Sequence, residues 1–404
     1  MEFYTHTLPN GIRCIHKRVK SPVAHCALMI NTGSRDEMPR EHGIAHLTEH
    51  ALFKGTTHRR AYQINCRLEK LGGELNAFTS KEETVIHTTT LRGDFPKAVE
   101  LISDMAFHSV FPPQEIEREK EVILDEINSY RDVPAERIYD DFEELLFAGS
   151  SLAHNILGRK AGVTGISQQD IRDFVGRTYN TDQMVLASIG NFSEKIFLKI
   201  IERYPGTAPA NLRKFSRMLP ERCVPFNKTL RRNTHQAHCL IGGRAFDLHD
   251  PRRVTLALLT NLLGGPSANS LLNVSLREKN GLSYNVEAGY TPLNDTGIAT
   301  IYFSTDKEKV ERCLAIVERQ VAAIRRGEIT PYQLSMAKRQ YMGQLAIAMD
   351  SNESHMLGIA KSYMVYNETE SVESIQRKIA AITRDEICEA VESVFAERSM
   401  LLYL

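Results

Sequence analysis

The chain has 404 residues, of which 42% are hydrophobic and 25% charged, too long for one ordinary core and typical of a soluble globular protein with two or a few domains. Lysine plus arginine balances aspartate plus glutamate at 50 each, so no net field is built to draw nucleic acid or anionic lipid. No apolar run reaches the length of a membrane span, MEFYTHTLPNGIRC is neither a signal nor a transit peptide, and the seven scattered cysteines form no CxxC pair. These features exclude a nucleic-acid or membrane partner, a disulfide framework and a cysteine zinc site, and they lead to the expectation of a cytoplasmic protein with reduced thiols.

In chain order, VAHCALMINTG (23–33) is a β-rich apolar run ended by glycine. Residues 43–55, GIAHLTEHALFKG, place Ile44, Leu47, Ala51 and Leu52 at helical spacing. GGELNAFTSKEET (72–84) is a glycine turn into a strand, and ETVIHTTTL (83–91) alternates as a half-buried strand does. PKAVELISDMAFHSVF and PQEIEREKEVILDEINSYRD predict two helices, the second opened by proline. MVLASIGNF (184–192) is another strand ended by glycine. A proline-rich, basic and polar stretch then follows, which separates a domain at 1–207 from one at 226–404 through a linker at 208–225.

The second domain repeats the first. VAHCALMI (23–30) is similar to QAHCLIGG (236–243), FPPQEIEREKEVILDEI (111–127) to ITPYQLSMAKRQYMGQL (329–345), and ISQQDIRDF (166–174) to ITRDEICEA (382–390). The offsets are 213, 218 and 216 residues, in one order along the chain. A period of about half the chain means a duplicated domain, not a solenoid. Strands and helices alternate without a βαβ rhythm or a GxGxxG turn, so the expected class is α+β: two homologous domains of mixed antiparallel sheet packed with helices.

The chemistry concentrates in His46-Leu-Thr-Glu49-His50. On a helix, His46 and His50 lie one turn apart on one face, a separation at which two imidazoles can share one zinc ion. Glu49 projects beside them, placed to take a proton from a water that the metal activates. The order HxxEH is that of the inverted zinc peptidases. A surface helix with two solvated histidines would have the same spacing. A catalytic zinc also needs a third ligand and an open position. The helix from Pro113 carries Glu119 and Glu126, two turns apart and so on nearly one face, although a charged stripe would read the same way. The second copy serves as a control. Glu119 and Glu126 map onto Ala337 and Gln344, and the HLTEH residues onto Leu258, Asn261 and Leu262, or in the adjacent register onto Leu259, Leu262 and Leu263. One copy has the whole constellation and the other has none of it.

HLTEH followed by EREKEVILDEI, with its last glutamate 76 residues after the second histidine, resembles the pitrilysin (insulinase) family of zinc metallopeptidases. The likeness is closest to the short two-domain members related to the mitochondrial processing peptidase beta subunit. It implies His46, His50 and Glu126 as ligands of one Zn2+ per chain, Glu49 as the catalytic base and Glu119 as an acidic helper. GGELNAFTSKEET is similar to the family's strand beside the active site, which implies substrate backbone against Asn76 and Ala77. LREKNGLSYNV (276–286) is similar to a segment whose arginine and tyrosine reach substrate, here Arg277 and Tyr284. The chain is half the length of single-chain members, so the resemblance implies a chamber made by two chains, a homodimer or a heterodimer with a related subunit, that takes unfolded peptides. Arg277 and Tyr284 would then complete the partner's site. A non-catalytic scaffold of the same fold, a zinc-binding regulatory module and a hydrolase of another bond are the alternative readings. LLGGPSANS (262–270) lacks a phosphate-loop pattern and is expected to be a helix end followed by a loop.

Overall fold

A computed structural model of the chain describes residues 3–221 and 223–404, so residues 1, 2 and, within the expected linker, 222 lie outside it. The first half runs β1 (Phe3–Thr7), β2 (Arg13–Arg18), β3 (Val23–Ile30), α1 (Ile44–Leu52), α2 (Ala61–Glu69), β4 (Glu74–Thr79) and β5 (Thr84–Leu91). It continues α3 (Phe95–His108), α4 (Pro113–Arg131), α5 (Pro134–Leu146), α6 (Lys160–Gly165), α7 (Gln168–Thr178), β6 (Met184–Gly190) and α8 (Glu194–Arg203). The second half runs β7 (Asn227–Leu230), β8 (Ala237–Ala245), α9 (Arg253–Gly264), β9 (Ser283–Pro292), β10 (Gly297–Thr305) and α10 (Val310–Arg325). Then come α11 (Pro331–Asp350), α12 (Asn352–Tyr366), α13 (Val372–Ala381), α14 (Arg384–Phe395) and β11 (Ser399–Tyr403).

The duplication is visible in the strand order. One sheet reads β1-β2-β6-β3-β5-β4 and the other β7-β11-β8-β10-β9. After the extra β1, they correspond strand for strand, including the one parallel pair in each, β2 with β6 and β7 with β11. Local signals explain why the repeated segments fold alike. Pro113 and Pro331 open α4 and α11, where a missing N–H costs nothing. In the ISQQD and ITRDE motifs, Ser167 and Thr383 each accept a backbone N–H three residues on and cap α7 and α14. The fold is thus α+β with two homologous mixed sheets, as expected.

The contiguous domains 1–207 and 226–404 are not the compact units of the structure. One unit comprises the chain through Asn128, His154–Arg217 and Ala348–Thr369; the other comprises Ser129–Ala153, Met218–Ile347 and Glu370–Leu404. The physical reason is that each sheet is apolar on both faces. In the first unit, helices from the same half cover one face, with Leu28, Ile86 and Leu186 against Ile44, Leu47 and Ile102. The other face, with Ile15, Met29, Val185 and Ile189, is closed by Met356, Ile359, Ala360 and Tyr363 of α12, a helix encoded in the second half. Reciprocally, Ile138, Phe142 and Leu146 of α5 cover Leu240, Ile298, Tyr302 and Leu401 of the second sheet. Each fully buried large apolar side chain contributes about 1.5–3 kcal/mol, which is why neither sheet leaves its second face to water. Exchange of two equivalent helices defeats a boundary drawn only along the sequence.

Candidate metal centre

All five residues of the predicted chemistry lie in the first unit. The helix that carries HLTEH starts abruptly. Gly43 precedes it at φ 98°, and a side chain there would come within 2.8 Å of the Leu157 carbonyl oxygen and the Val163 methyl, so only glycine fits. Glu37 reaches back to accept the N–H groups of Gly43 (3.0 Å) and Ala45 (2.9 Å), satisfying amides that would otherwise be orphaned at the helix start. Burial pushes the Glu37 carboxyl up to about 8, against the two amides that favour its charge. Ile44, Ala45, Leu47, Thr48, Ala51 and Leu52 of α1 are buried, which leaves His46, Glu49 and His50 together on the opposite, partly open face.

That face meets α4. His46 Nε2 and His50 Nε2 stand 3.8 and 4.0 Å from the same oxygen, Glu126 Oε2. Ligating atoms of the three side chains all lie within 4.8 Å of one another. Glu126 Oε2, His46 Nδ1 and Glu49 Oε2 are buried without a hydrogen-bond partner. A buried carboxylate oxygen in that state wants a cation or a proton. Two imidazoles and a carboxylate are a donor set suited to zinc with a position left open, and the residues therefore fit such an ion. Glu119, one side of α4 with Glu126, accepts from His50 Nδ1 at 2.9 Å and from Lys54 Nζ at 2.6 Å. With Nδ1 as donor, His50 keeps the lone pair of Nε2 directed at Glu126.

The electrostatics favour a neutral imidazole and a basic carboxylate. Burial, reinforced by the neighbouring His50, pushes His46 down to about 4. Burial raises Glu49 above the usual carboxylate range, opposed by a hydrogen bond to Thr79 at the end of β4 and by His50. The chemistry available to the cluster is cation binding beside a carboxylate whose proton affinity burial has raised.

Of the predicted substrate residues, Asn76 and Ala77 lie on β4, the terminal strand of its sheet, which among the described residues pairs only with β5 and packs beside α1. Asn76 is exposed and Ala77 half-buried. Arg277 and Tyr284 belong to the second unit. Arg277 sits in a π-helical turn, Asn273–Glu278, and its guanidinium stacks 5.0 Å over the ring of Tyr284 on β9. Tyr284 is 79% exposed, an unusual state for a tyrosine on a strand. Sequence reasoning missed Glu37, Lys54 and Thr79. Lys54 has a legible signal, four residues after His50 and two past the end of α1. Glu37 and Thr79 act from outside the helix and have none.

Two family models match the chain: insulinase (peptidase family M16) over residues 14–160, and the peptidase M16 inactive domain over 165–341. The chain belongs to peptidase family M16. Among the relatives of this M16 chain, an uncharacterized zinc protease of Bacillus subtilis, YmxG, is 29% identical over 97% of the chain and 95% of its own length. An uncharacterized zinc protease of Streptomyces coelicolor is 28% identical over 98% and 88%. The fold is shared with a crystal structure described as a peptidase M16 inactive domain from Pseudomonas fluorescens, at a TM-score of 0.93, 20% identity and coverage of 100% and 98%. A Helicobacter pylori protease superposes at a TM-score of 0.92 with 18% identity, covering 100% and 99%. The inactive-domain match falls largely on the copy whose sequence lacks every candidate ligand.

Proposed function

We propose that this M16 chain is a zinc-dependent peptidase that hydrolyses unfolded peptides, with one catalytic zinc per chain held by His46, His50 and Glu126. The observation that carries the proposal is the convergence of both imidazole Nε2 atoms on a buried Glu126 oxygen that has no other partner. The zinc, when bound, acidifies water and polarises the scissile carbonyl.

Glu49 is the base. Its carboxylate takes the proton of the attacking water and returns it to the leaving amine. The raised proton affinity suits both tasks: a strongly acidic carboxyl would accept poorly, and burial corrects that. Glu119 keeps the His50 ring oriented, and Lys54 holds Glu119 in place. The free edge of β4 takes peptide backbone as an added strand at Asn76 and Ala77, a mode that demands extended chain but little sequence. Arg277 supplies charge for a peptide carbonyl or carboxylate, and the Tyr284 hydroxyl donates to developing oxyanion charge.

Assembly belongs to the same proposal. Two chains, identical or related, form a chamber in which the second unit of one serves the metal centre of the other. A cytoplasmic setting is supported by the seven free cysteines. No helix among the described residues is long and apolar enough to cross a membrane. The test is Glu49→Gln: zinc content should stay at the wild-type level while hydrolysis of a mixed peptide library falls by roughly 10²–10⁴-fold. Wild-type turnover by that variant would remove the assigned base. Mixing Glu49→Gln with Arg277→Ala chains should recover activity in mixed dimers; no recovery would argue against sharing across chains.

A further inference from the structure

A second cluster with ligating chemistry lies in the first unit and shares no residue with the first. Asp104 and His108 are one turn apart on α3, and His58 comes from the loop after α1. Asp104 Oδ1 is 2.6 Å from His58 Nδ1 and 3.5 Å from His108 Nδ1. The two rings meet edge to face, with centroids 5.0 Å apart. Ligating atoms of the three side chains all lie within 4.8 Å of one another.

The carboxylate is built in and the imidazoles are accessible. The Asp104 side chain is 4% exposed, whereas those of His58 and His108 are 59% and 45% exposed. The other oxygen, Oδ2, accepts from Thr56 Oγ1 at 2.8 Å and from Arg59 Nη1 at 2.6 Å, which fixes the carboxylate plane and leaves Oδ1 to the imidazoles. The positive charge of Arg59 is shared with Glu100, at 2.6 Å, which also takes Arg67 at 3.4 Å, so the charged neighbours are balanced. Burial opposes ionisation of Asp104, but hydrogen bonds from His58, Thr56 and Arg59 hold it below the usual carboxylate range.

The backbone that presents His58 is also fixed. Thr57 N–H donates to the His108 carbonyl at 2.9 Å, Val110 N–H to the Gly55 carbonyl at 3.1 Å, and Thr56 pairs with Ser109. His58 and Arg59 N–H groups both donate to Thr56 Oγ1. Loop and helix end are therefore registered before any ion arrives, so little ordering cost remains to be met on binding.

We propose that His58, Asp104 and His108 form a second divalent-metal site, of the zinc class, with water completing the coordination. One carboxylate oxygen faced by two imidazole nitrogens calls for two protons or one cation. Two nitrogens and one oxygen match the ligand types zinc accepts. Arg59 and Thr56 play the orienting part that such sites require of the groups behind their ligands. Binding replaces the hydrogen bond that His58 Nδ1 makes to Asp104 Oδ1. The ion ties the loop 53–60 to the end of α3. Lys54, which holds Glu119, stands at the start of that loop, and the tie reaches the first centre through it.

The test isolates this site by removing the first one. The full-length His46→Ala/His50→Ala chain, titrated with Zn2+ and read by calorimetry and by thermal shift, should take up one equivalent and gain thermal stability. Adding His58→Ala and His108→Ala should abolish both responses. These are exposed side chains, and circular dichroism without metal should show the fold unchanged. Co2+ substituted for Zn2+ in the two-substitution chain should give visible absorption bands of low coordination number, lost in the four-substitution chain. No equivalent in the two-substitution chain, or one that survives loss of His58 and His108, would overturn the proposal and leave the cluster a hydrogen-bonded salt bridge. Because the readout is made without the first centre, its failure leaves the peptidase reading untouched.

Discussion

The α1–α4 pair of the first unit and the α9–α11 pair of the second occupy equivalent places in the duplicated fold and end in opposite chemistry. In the first, HLTEH meets Glu119 and Glu126, and several buried polar atoms remain unpaired. In the second, Asn261 Nδ2 donates to Gln344 Oε1 at 2.8 Å, and Gln344 Nε2 donates to Ser267 Oγ at 3.1 Å. Gln344 stands where Glu126 stands in the other copy, and Asn261 where Glu49 does in the register that maps His46 to Leu258. An amide pair satisfies itself, whereas two carboxylates and two imidazoles do not. The same helical frame therefore holds with neutral hydrogen bonds in one copy, and in the other it leaves Glu126 Oε2, His46 Nδ1 and Glu49 Oε2 buried without a hydrogen-bond partner.

Replacing Glu126 by Ala, or His46 by Ala, should abolish metal binding at the first centre and with it essentially all peptide hydrolysis, measured by zinc content and turnover on one preparation. Glu119→Gln should cost about 10–100-fold in metal affinity or activity while the fold stays intact, because it loosens a ring without removing a ligand. On the other side, Asn261→Ala should leave zinc content unchanged and lower unfolding free energy by about 1 kcal/mol, with somewhat more if Gln344 is left unsatisfied. A loss of zinc from the Asn261 variant would erase the distinction between the copies.

The same contrast has a pH signature. In the metal-free protein His46 is pushed down to about 4 from an ordinary 6.5, chiefly by burial. The folded chain therefore resists its protonation. The stability tied to that neutral imidazole is complete above pH 6.5 and is lost as pH falls toward 4, because the unfolded chain takes up the proton first. Denaturant midpoints of metal-free protein should fall across that window, and His46→Gln should flatten part of the slope. His16, also pushed down to about 4 by burial, contributes in the same direction, so the difference between wild type and variant is the quantity to read.

How much of this was legible in the sequence depends on distance along the chain. HLTEH and the Glu119/Glu126 spacing lie within single helices, where periodicity alone sets which side chains share a face. The duplication was legible because Pro113 and Pro331, or Ser167 and Thr383, do the same local work in both copies. The helix exchange was not, since an apolar helix face does not name the sheet it covers, and α5 and α12 find theirs only through packing. Nor were Glu37 and Thr79, which reach α1 from segments outside it, or Asp104 and His108, whose i,i+4 spacing becomes a cluster only when a loop delivers His58.

The most direct test is a crystal of zinc-loaded protein measured at the zinc absorption edge. An anomalous peak is expected within about 2.0–2.2 Å of His46 Nε2, His50 Nε2 and a Glu126 carboxylate oxygen. Density at those three atoms with no such peak, in a preparation that hydrolyses peptides, would contradict that ligand assignment.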